Sequence, residues 1–483
     1  MPEAYRIEKD SLGEVRVPKS ARYGAQTQRA FENFPISGQR FSRRFIQAIG
    51  LIKAAAAQTN KELGHLSGRA ADAIARAARE VAEGKWDDQF VLDIYQTGSA
   101  TSTNMNANEV IAHRARELLN GSAIHANDQV NFGQSSNDVI PTAMHVSARV
   151  AIEEELIPAL QNLDKVLRKK ARAFDKVMKS GRTHLMDATP VRLGQEFGGY
   201  ATQVARSITR LRRASEELSE LALGGTAVGT GINTDPRFAA KAITKRGSVL
   251  IPVPTDPRFA AKAITKISKA TDLKFTEAED HFEAQGAKDA FVSASGALNA
   301  TAVALIKIAD DIRWMASGPT SGIGEIFLPS VQPGSSIMPG KVNPVMAEAL
   351  IMTCARTMGN HLTVTVGGSR GNFELNVMMP VMAEAFLESV KLLGNASRAF
   401  TTRCVEGIEP NRERARELLE KNPSIATALN PYIGYDKAAE IAKQAAKQGR
   451  SVRDVVKEKG LLKGAQLDRA LDVRAMTEPG LPD

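Results

Sequence analysis

Chemistry-bearing side chains gather in four strings that lie far apart in the chain. The first is Thr97-Gly98-Ser99-Ala100-Thr101-Ser102-Thr103-Asn104-Met105-Asn106. The second runs from His125-Ala126-Asn127-Asp128 through Gln134-Ser135-Ser136-Asn137-Asp138. The third is Gly181-Arg182-Thr183-His184-Leu185-Met186-Asp187-Ala188-Thr189-Pro190, and the fourth is Gly334-Ser335-Ser336-Ile337-Met338-Pro339-Gly340-Lys341-Val342-Asn343-Pro344. Each holds small hydroxyl and amide side chains, which bind carboxylate oxygens through directed hydrogen bonds without a metal. Any one of them reads as a capped turn; all four together are hard to explain as turns. The fourth reads as a mobile loop that stops at a helix. Gly334 and Gly340 free the backbone, and Asn343-Pro344 reads as an N-cap followed by Pro at the first helical position. Ser335, Ser336, Lys341 and Asn343 then sit where free N–H groups and the helix dipole favour an anion.

These strings must be positioned by helices. Ile74, Ala78 and Val81 keep helical spacing, and Gly84 ends that element. Leu156, Leu160, Leu163, Leu167, Phe174 and Met178 form one stripe, with Pro158 as a kink. Residues 193–223, 282–316, 344–366 and 377–400 read as further long helices. Five such helices predict a mainly α fold with a central long-helix bundle. Several are too apolar around their circumference to be wet on one side, which predicts oligomerisation. Residues 98–108 read as a polar surface loop before a helix over 109–119, and residues 1–40 as irregular. Short helices are expected over 451–462 and 467–471. The pattern divides the chain into 1–134, a mixed but mostly helical domain, 135–406, the bundle, and 407–483, a small helical domain.

One internal repeat interrupts the bundle. The twelve residues from Thr234 to Lys245 recur unchanged from Thr255 to Lys266. A solenoid needs at least three copies, so this is a local tandem duplication over 234–266, joined by 246–254. Only one copy can hold the original place in the fold, and the other is expected to bulge at the surface.

Bulk properties exclude several classes. The 483 residues carry a net charge of +9, but the basic residues are mixed with acids and lack interleaved aromatics. That argues against a nucleic-acid partner, while a positive field still steers small dianions. No run of eighteen apolar residues is present, so no membrane partner is expected. The opening segment has no apolar core and carries acids early, which points to a cytoplasmic protein. Cys354 and Cys404 cannot supply an iron–sulfur cluster. The histidines lack ligand-like spacing, so neither metal nor other cofactor is expected.

The 334–344 string is similar to the signature of the fumarase/aspartase superfamily. Over nearly its whole length the chain resembles the class II, metal-free fumarase family. That resemblance implies a three-domain subunit in a homotetramer, with active sites shared by three subunits around a common helical core. It implies that Ser99, Thr101, Ser135, Ser136, Asn137, Thr183, Lys341 and Asn343 hold the carboxylates of a small dicarboxylate, fumarate or L-malate. The second string's His125, Asn127 and Asp128 match a peripheral anion site. Two residues depart from the family pattern: Ala126 stands where Pro is common, and Ala100 where Gly is common.

The implied chemistry is addition of water across fumarate. Removing a proton beside a carboxylate gives a doubly charged aci-carboxylate, which cations and fixed donors must surround. Lys341 supplies charge, and the Ser, Thr and Asn side chains supply oriented hydrogen bonds. By resemblance Ser335 is the base at carbon, its alkoxide stabilised by Lys341 and loop N–H groups. His184 suits the departing hydroxide because imidazole titrates near working pH. Glu348 matches the family's partner for that histidine.

Aspartate ammonia-lyase is the nearest rival. Ser136-Asn137, Gly371-Asn372-Phe373-Glu374-Leu375-Asn376 and Gly407-Ile408-Glu409-Pro410-Asn411 favour the fumarase form. A scaffold protein without activity would be expected to lose its catalytic side chains, and all are present.

Overall fold

The computed structural model describes residues 4–231, 256 and 258–480. The fold is mainly α, with five two-stranded sheets among the described residues. Backbone contacts divide it into two units: 1–158, 209–302 and 355–393 form one, and 159–208, 303–354 and 394–483 the other.

In the first unit, the Arg43–Glu62 helix packs on the Gly68–Ala82 helix. Its buried face carries Phe45, Ile49 and Ile52 between alanines, each large side chain contributing about 1.5–3 kcal/mol by leaving water. The two backbones meet so closely at Gly50 that a Cβ there would lie 2.6 Å from Ala82 N. Gly84, at φ +87, follows the second helix as expected.

The N-terminal segment is more regular than its composition suggests. Tyr5–Asp10 pairs antiparallel with Gly13–Pro18, and Ala25–Asn33 is helical. The polar run expected as a loop over 98–108 is helical from its fourth residue, within Thr101–Leu118. Asn104, Asn106 and Asn108 are buried on that helix, and their Nδ2 groups donate to Asn131, Gln89 and Asn131 within the protein.

In the second unit, the Ile157–Ala173 helix ends before Met178. Met178 instead opens the Met178–Thr183 strand, which pairs with Met186–Arg192. The small C-terminal core gathers Leu419, Leu429, Ile441, Val455, Val456 and Leu467. The Tyr435–Gln448, Val452–Glu458 and Gly464–Ala470 helices carry most of it.

The long helices are Leu193–Glu217, Asp289–Met315, Val345–Gly368 and Met379–Arg403. The segment expected to be one helix over 282–316 is broken after His281–Gly286, and the long helix restarts at Asp289. Large apolar side chains stand exposed on these helices, among them Val303, Trp314, Met352, Leu362 and Val366. Among the described residues, one helix, Asp289–Met315, is long and apolar enough to cross a membrane, and half of its most apolar window is buried.

The second copy of the repeat supplies the first part of the Phe259–Thr271 helix, on which Phe259, Ala260, Ala263, Ile264 and Ile267 are buried. It packs against the Arg43–Glu62 helix. Lys262 and Lys266 both reach Glu62, at 3.2 and 2.7 Å. The first copy, and with it the expected bulge, lies outside the described residues.

Candidate active site

In the first unit, two helix starts bring the first and second strings together. Ala100 takes the left-handed conformation at φ +53 and turns the chain into the Thr101–Leu118 helix. This is backbone that glycine adopts without strain, so the departure at Ala100 has a conformational cost. The preceding turn is fixed because a Cβ on Gly98 would lie 2.0 Å from Val377 O. Ser135 caps the Ser136–Ala151 helix: its hydroxyl accepts from Asn137 N, and the Asp138 carboxylate accepts from Ser135 N. Three hydroxyls then form a chain. Ser99 Oγ lies 2.7 Å from Thr101 Oγ1, which lies 2.8 Å from Ser136 Oγ. Asn137 Nδ2 donates to Ala227 O at 2.8 Å, placing its amide beside this group.

A buried polar layer supports these residues. Asp138 is fully buried, and its second carboxylate oxygen accepts from Gly224 N and Thr226 N, both at 3.0 Å. Lys53, also fully buried, donates to Asn131 Oδ1 at 2.8 Å and Gln134 Oε1 at 3.0 Å. Asn104 and Asn108 donate to the same Asn131 oxygen, each at 3.2 Å. Lys53 thus ties the 131–134 loop, directly before Ser135, to the Arg43–Glu62 helix, while Asn104 and Asn108 tie it to the helix that begins at Thr101. Burial pulls the Lys53 ammonium down and pushes the Asp138 carboxyl up, each opposed by the other's charge. Lys53 lies outside the four strings, and Asp138 ends the second string without a role assigned to it. The available signal was a lone lysine inside Ile52-Lys53-Ala54-Ala55-Ala56-Ala57.

His125, Asn127 and Asp128 form a separate exposed turn in this unit. His125 Nδ1 lies 3.0 Å from the Asp128 carboxylate and accepts from Asp128 N at 3.2 Å. They make no bond to the Ser–Thr chain.

In the second unit, Thr183 pairs with Met186, leaving His184-Leu185 as a two-residue hairpin loop. Both residues have positive φ, +56 and +59, the geometry of a type I′ turn that usually takes Asn or Gly. A bulky pair held in that conformation is strained backbone, which concentrates at working sites. The hairpin is anchored at its base. Arg182 makes two 2.8 Å bonds to the fully buried Glu325, and Lys179 reaches Glu196 at 2.8 Å and Glu325 at 3.3 Å. Thr183, His184, Leu185 and Met186 at the tip are all exposed.

The fourth string closes on itself. Gly334 N donates to Lys341 O at 2.7 Å, and Asn343 Nδ2 donates to Gly334 O at 2.8 Å. The expected cap is therefore corrected: the Asn343 side chain closes the loop neck instead of capping. The helix begins at Val345, after Pro344, whose carbonyl accepts from Glu348 N. Ser335 Oγ accepts from Ile337 N at 3.2 Å and Met338 N at 3.0 Å. Ser336 and Lys341 are exposed, and Lys341 has no ion pair among the described residues. Glu348 lies half-buried in the first turn of the helix. His184 and Glu348 share no hydrogen bond or ion pair within the chain.

Known proteins are similar to this chain over nearly its whole length. A family model described as Lyase matches residues 13–359, and one described as Fumarase C C-terminus matches residues 425–478. The chain is 52% identical over 480 residues to Fumarate hydratase class II of Corynebacterium glutamicum, covering 98% of this chain and 97% of that one. The chain belongs to the class II fumarase family. Fumarate hydratase class II of Mycobacterium tuberculosis is likewise 52% identical, over 478 residues covering 98% of this chain and 96% of its own. Among solved structures, class II fumarase from Schistosoma mansoni aligns with TM-score 0.91 at 38% identity, covering 98% of this chain and 99% of that one. Fumarate lyase:delta crystallin from Brucella melitensis aligns with TM-score 0.90 at 41% identity, covering 99% and 100%. This fumarase chain thus has the fold and the length of its relatives.

Proposed function

We propose that this chain is a fumarate hydratase, adding water reversibly and anti across fumarate to give L-malate, with side chains alone handling proton and charge. Beside its family membership, one observation carries the reading. Ser99, Thr101 and Ser136 form a continuous hydroxyl chain at two helix starts, with Ser135 and Asn137 alongside. Helix N-termini and neutral donors favour a carboxylate there.

The remaining roles follow from the same chemistry. Thr183, Ser336, Lys341 and Asn343 complete the hold on the dicarboxylate. Ser335 takes the C3 proton of L-malate. Its Oγ already faces two backbone N–H groups, which lower the cost of an alkoxide. Negative charge moves into the neighbouring carboxylate as the carbon loses its proton, and Lys341 and the hydroxyls stabilise it. His184 protonates the departing hydroxide, and Glu348 orients and charges the imidazole. In the reverse direction the same groups exchange tasks.

The hairpin tip at His184 and the loop at Ser335 present exposed apolar neighbours, Leu185, Met186 and Ile337. Together with the uncovered apolar side chains of the long helices, these support a homotetramer. Each site then takes its strings from three copies. His125, Asn127 and Asp128 form a peripheral anion site in the same reading.

The test is ultraviolet absorbance of fumarate formed from L-malate by purified, chelator-treated protein. Growth of that absorbance is expected. Ammonia release from L-aspartate with no signal from L-malate would assign the chain to aspartate ammonia-lyase instead.

A further inference from the structure

The second unit holds a partly open cavity of about 650 Å³, between residues 176–178 and C-terminal residues, that the proposed reaction does not use. Small-molecule sites typically span about 300–1,000 Å³, so the volume admits an organic ligand. Its lining includes Met178, Leu419, Ile425, Val452 and Leu471, which continue the C-terminal core. It also includes the cations Lys176, Arg412, Arg416 and Arg453. Glu420 and Asp454 also line it, so positive groups outnumber negative ones four to two.

The state of those cations matters more than their number. Arg453 pairs with Asp468, outside the lining, and Arg416 meets Glu420 only at 3.9 Å. Lys176 and Arg412 have no ion pair among the described residues. An arginine and a lysine that make no ion pair, lining a cavity shared with apolar core residues, match a ligand with an oxyanion on an apolar body.

The cavity also touches the hairpin that carries Thr183 and His184. Met178 opens its first strand. Ile425 belongs to the segment that clamps the hairpin: Asn422 Nδ2 donates to Ser180 Oγ at 3.0 Å and to Ala188 O at 2.7 Å, and Ser424 Oγ donates to Asp187 O at 3.0 Å. A ligand in the cavity therefore meets both Met178 of the hairpin and Ile425 of the clamping segment.

We propose that this cavity is an effector site for an organic oxyanion with an apolar body, a carboxylate or phosphate on a medium-length hydrocarbon. Its occupancy changes turnover by shifting the hairpin through the Asn422–Ser424 clamp. The effect on turnover rests on the proposed role of the hairpin; the binding itself does not.

The test uses the full-length enzyme and the fluorescent probe 8-anilinonaphthalene-1-sulfonate. Octanoate and octyl phosphate are expected to displace the probe, and octanol or inorganic phosphate at equal concentration is not. Arg412→Glu and Lys176→Glu, both at exposed positions outside the reaction chemistry, should each weaken octanoate binding about fivefold or more. Saturating octanoate or octyl phosphate should change kcat/KM for L-malate about fivefold, within the usual range of coupling between sites. That change should vanish in Arg412→Glu. Binding unaffected by both substitutions, or full displacement by inorganic phosphate, would overturn the site. Binding at the site without any change in turnover would overturn the coupling. An octanoate effect that persists in Arg412→Glu would place it at the substrate pocket and overturn the coupling as well. A His184→Asn enzyme with full turnover would instead remove the hairpin from catalysis, leaving the binding result standing.

Discussion

Lys53→Met keeps the length of the side chain and removes its ammonium. Two bonds go with it, 2.8 Å to Asn131 and 3.0 Å to Gln134. Hydrogen bonds with a charged partner contribute about 1.5–3 kcal/mol each. Against them stands the cost of a fully buried cation. Burial, opposed by the charge of Asp138, takes Lys53 from 10.5 down to about 7, a penalty of roughly 5 kcal/mol. The two nearly cancel, so the change in global stability should stay within about 2 kcal/mol. Substrate affinity has no such compensation. The loop that presents Ser135, Ser136 and Asn137 loses one of its ties, and forfeiting about 1.4 kcal/mol of ordering raises KM about tenfold. The assay is initial-rate fumarate formation across L-malate concentration, paired with a thermal melt in the same buffer. A second signature is pH. Above about 7 the folded Lys53 sheds its proton, while in the unfolded chain it keeps it to about 10.5. The unfolded state then binds more protons, so wild-type stability rises with pH across that window, and Lys53→Met lacks this contribution. An unchanged KM, or a melt that collapses while KM holds, would refute the tether.

Three further outcomes are expected. Ser335→Ala should lower kcat about a hundredfold or more while the inhibition constant of succinate moves little; equal loss in both would make Ser335 a binding group only. Arg182→Met removes the bidentate partner of the fully buried Glu325, and with Lys179 remaining it should cost about 3 kcal/mol; an unchanged melt would show that the hairpin is anchored elsewhere. Deleting residues 234–254 leaves the packed second copy of the repeat, so the melting temperature should hold within about 1–2 °C; a marked fall would show that the first copy contributes to the fold.

The sequence makes the site's chemistry more legible than its support. The four polar strings stand out because hydroxyl and amide side chains clustered in an apolar helical chain are costly unless bonded. The helical start at Thr101 was hidden by the same residues. Ser, Thr and Asn have low helix propensity, and only burial of Asn104, Asn106 and Asn108 reveals that tertiary bonding overrides it. Met178 extends the stripe of the preceding helix in sequence, yet pairing with Arg192 makes it a strand. Lys53 looks like any surface lysine on an alanine-rich helix. Its burial depends on Asn131 and Gln134, about eighty positions away, a contact that local pattern does not contain. The Asn343 side chain fits two roles by type, capping and loop closure, and the carbonyl of Gly334 decides between them.

Subunit mixing tests the sharing of sites most directly. Thr101→Val and His184→Asn chains, each inactive alone, are co-expressed in equal amounts and the mixed oligomers purified. If each site draws Thr101 and His184 from different copies, an intact site arises by independent halves, and activity should recover to about a quarter of wild type. A mixture no more active than its inactive parents would mean that both residues must come from one chain, contradicting the shared pocket.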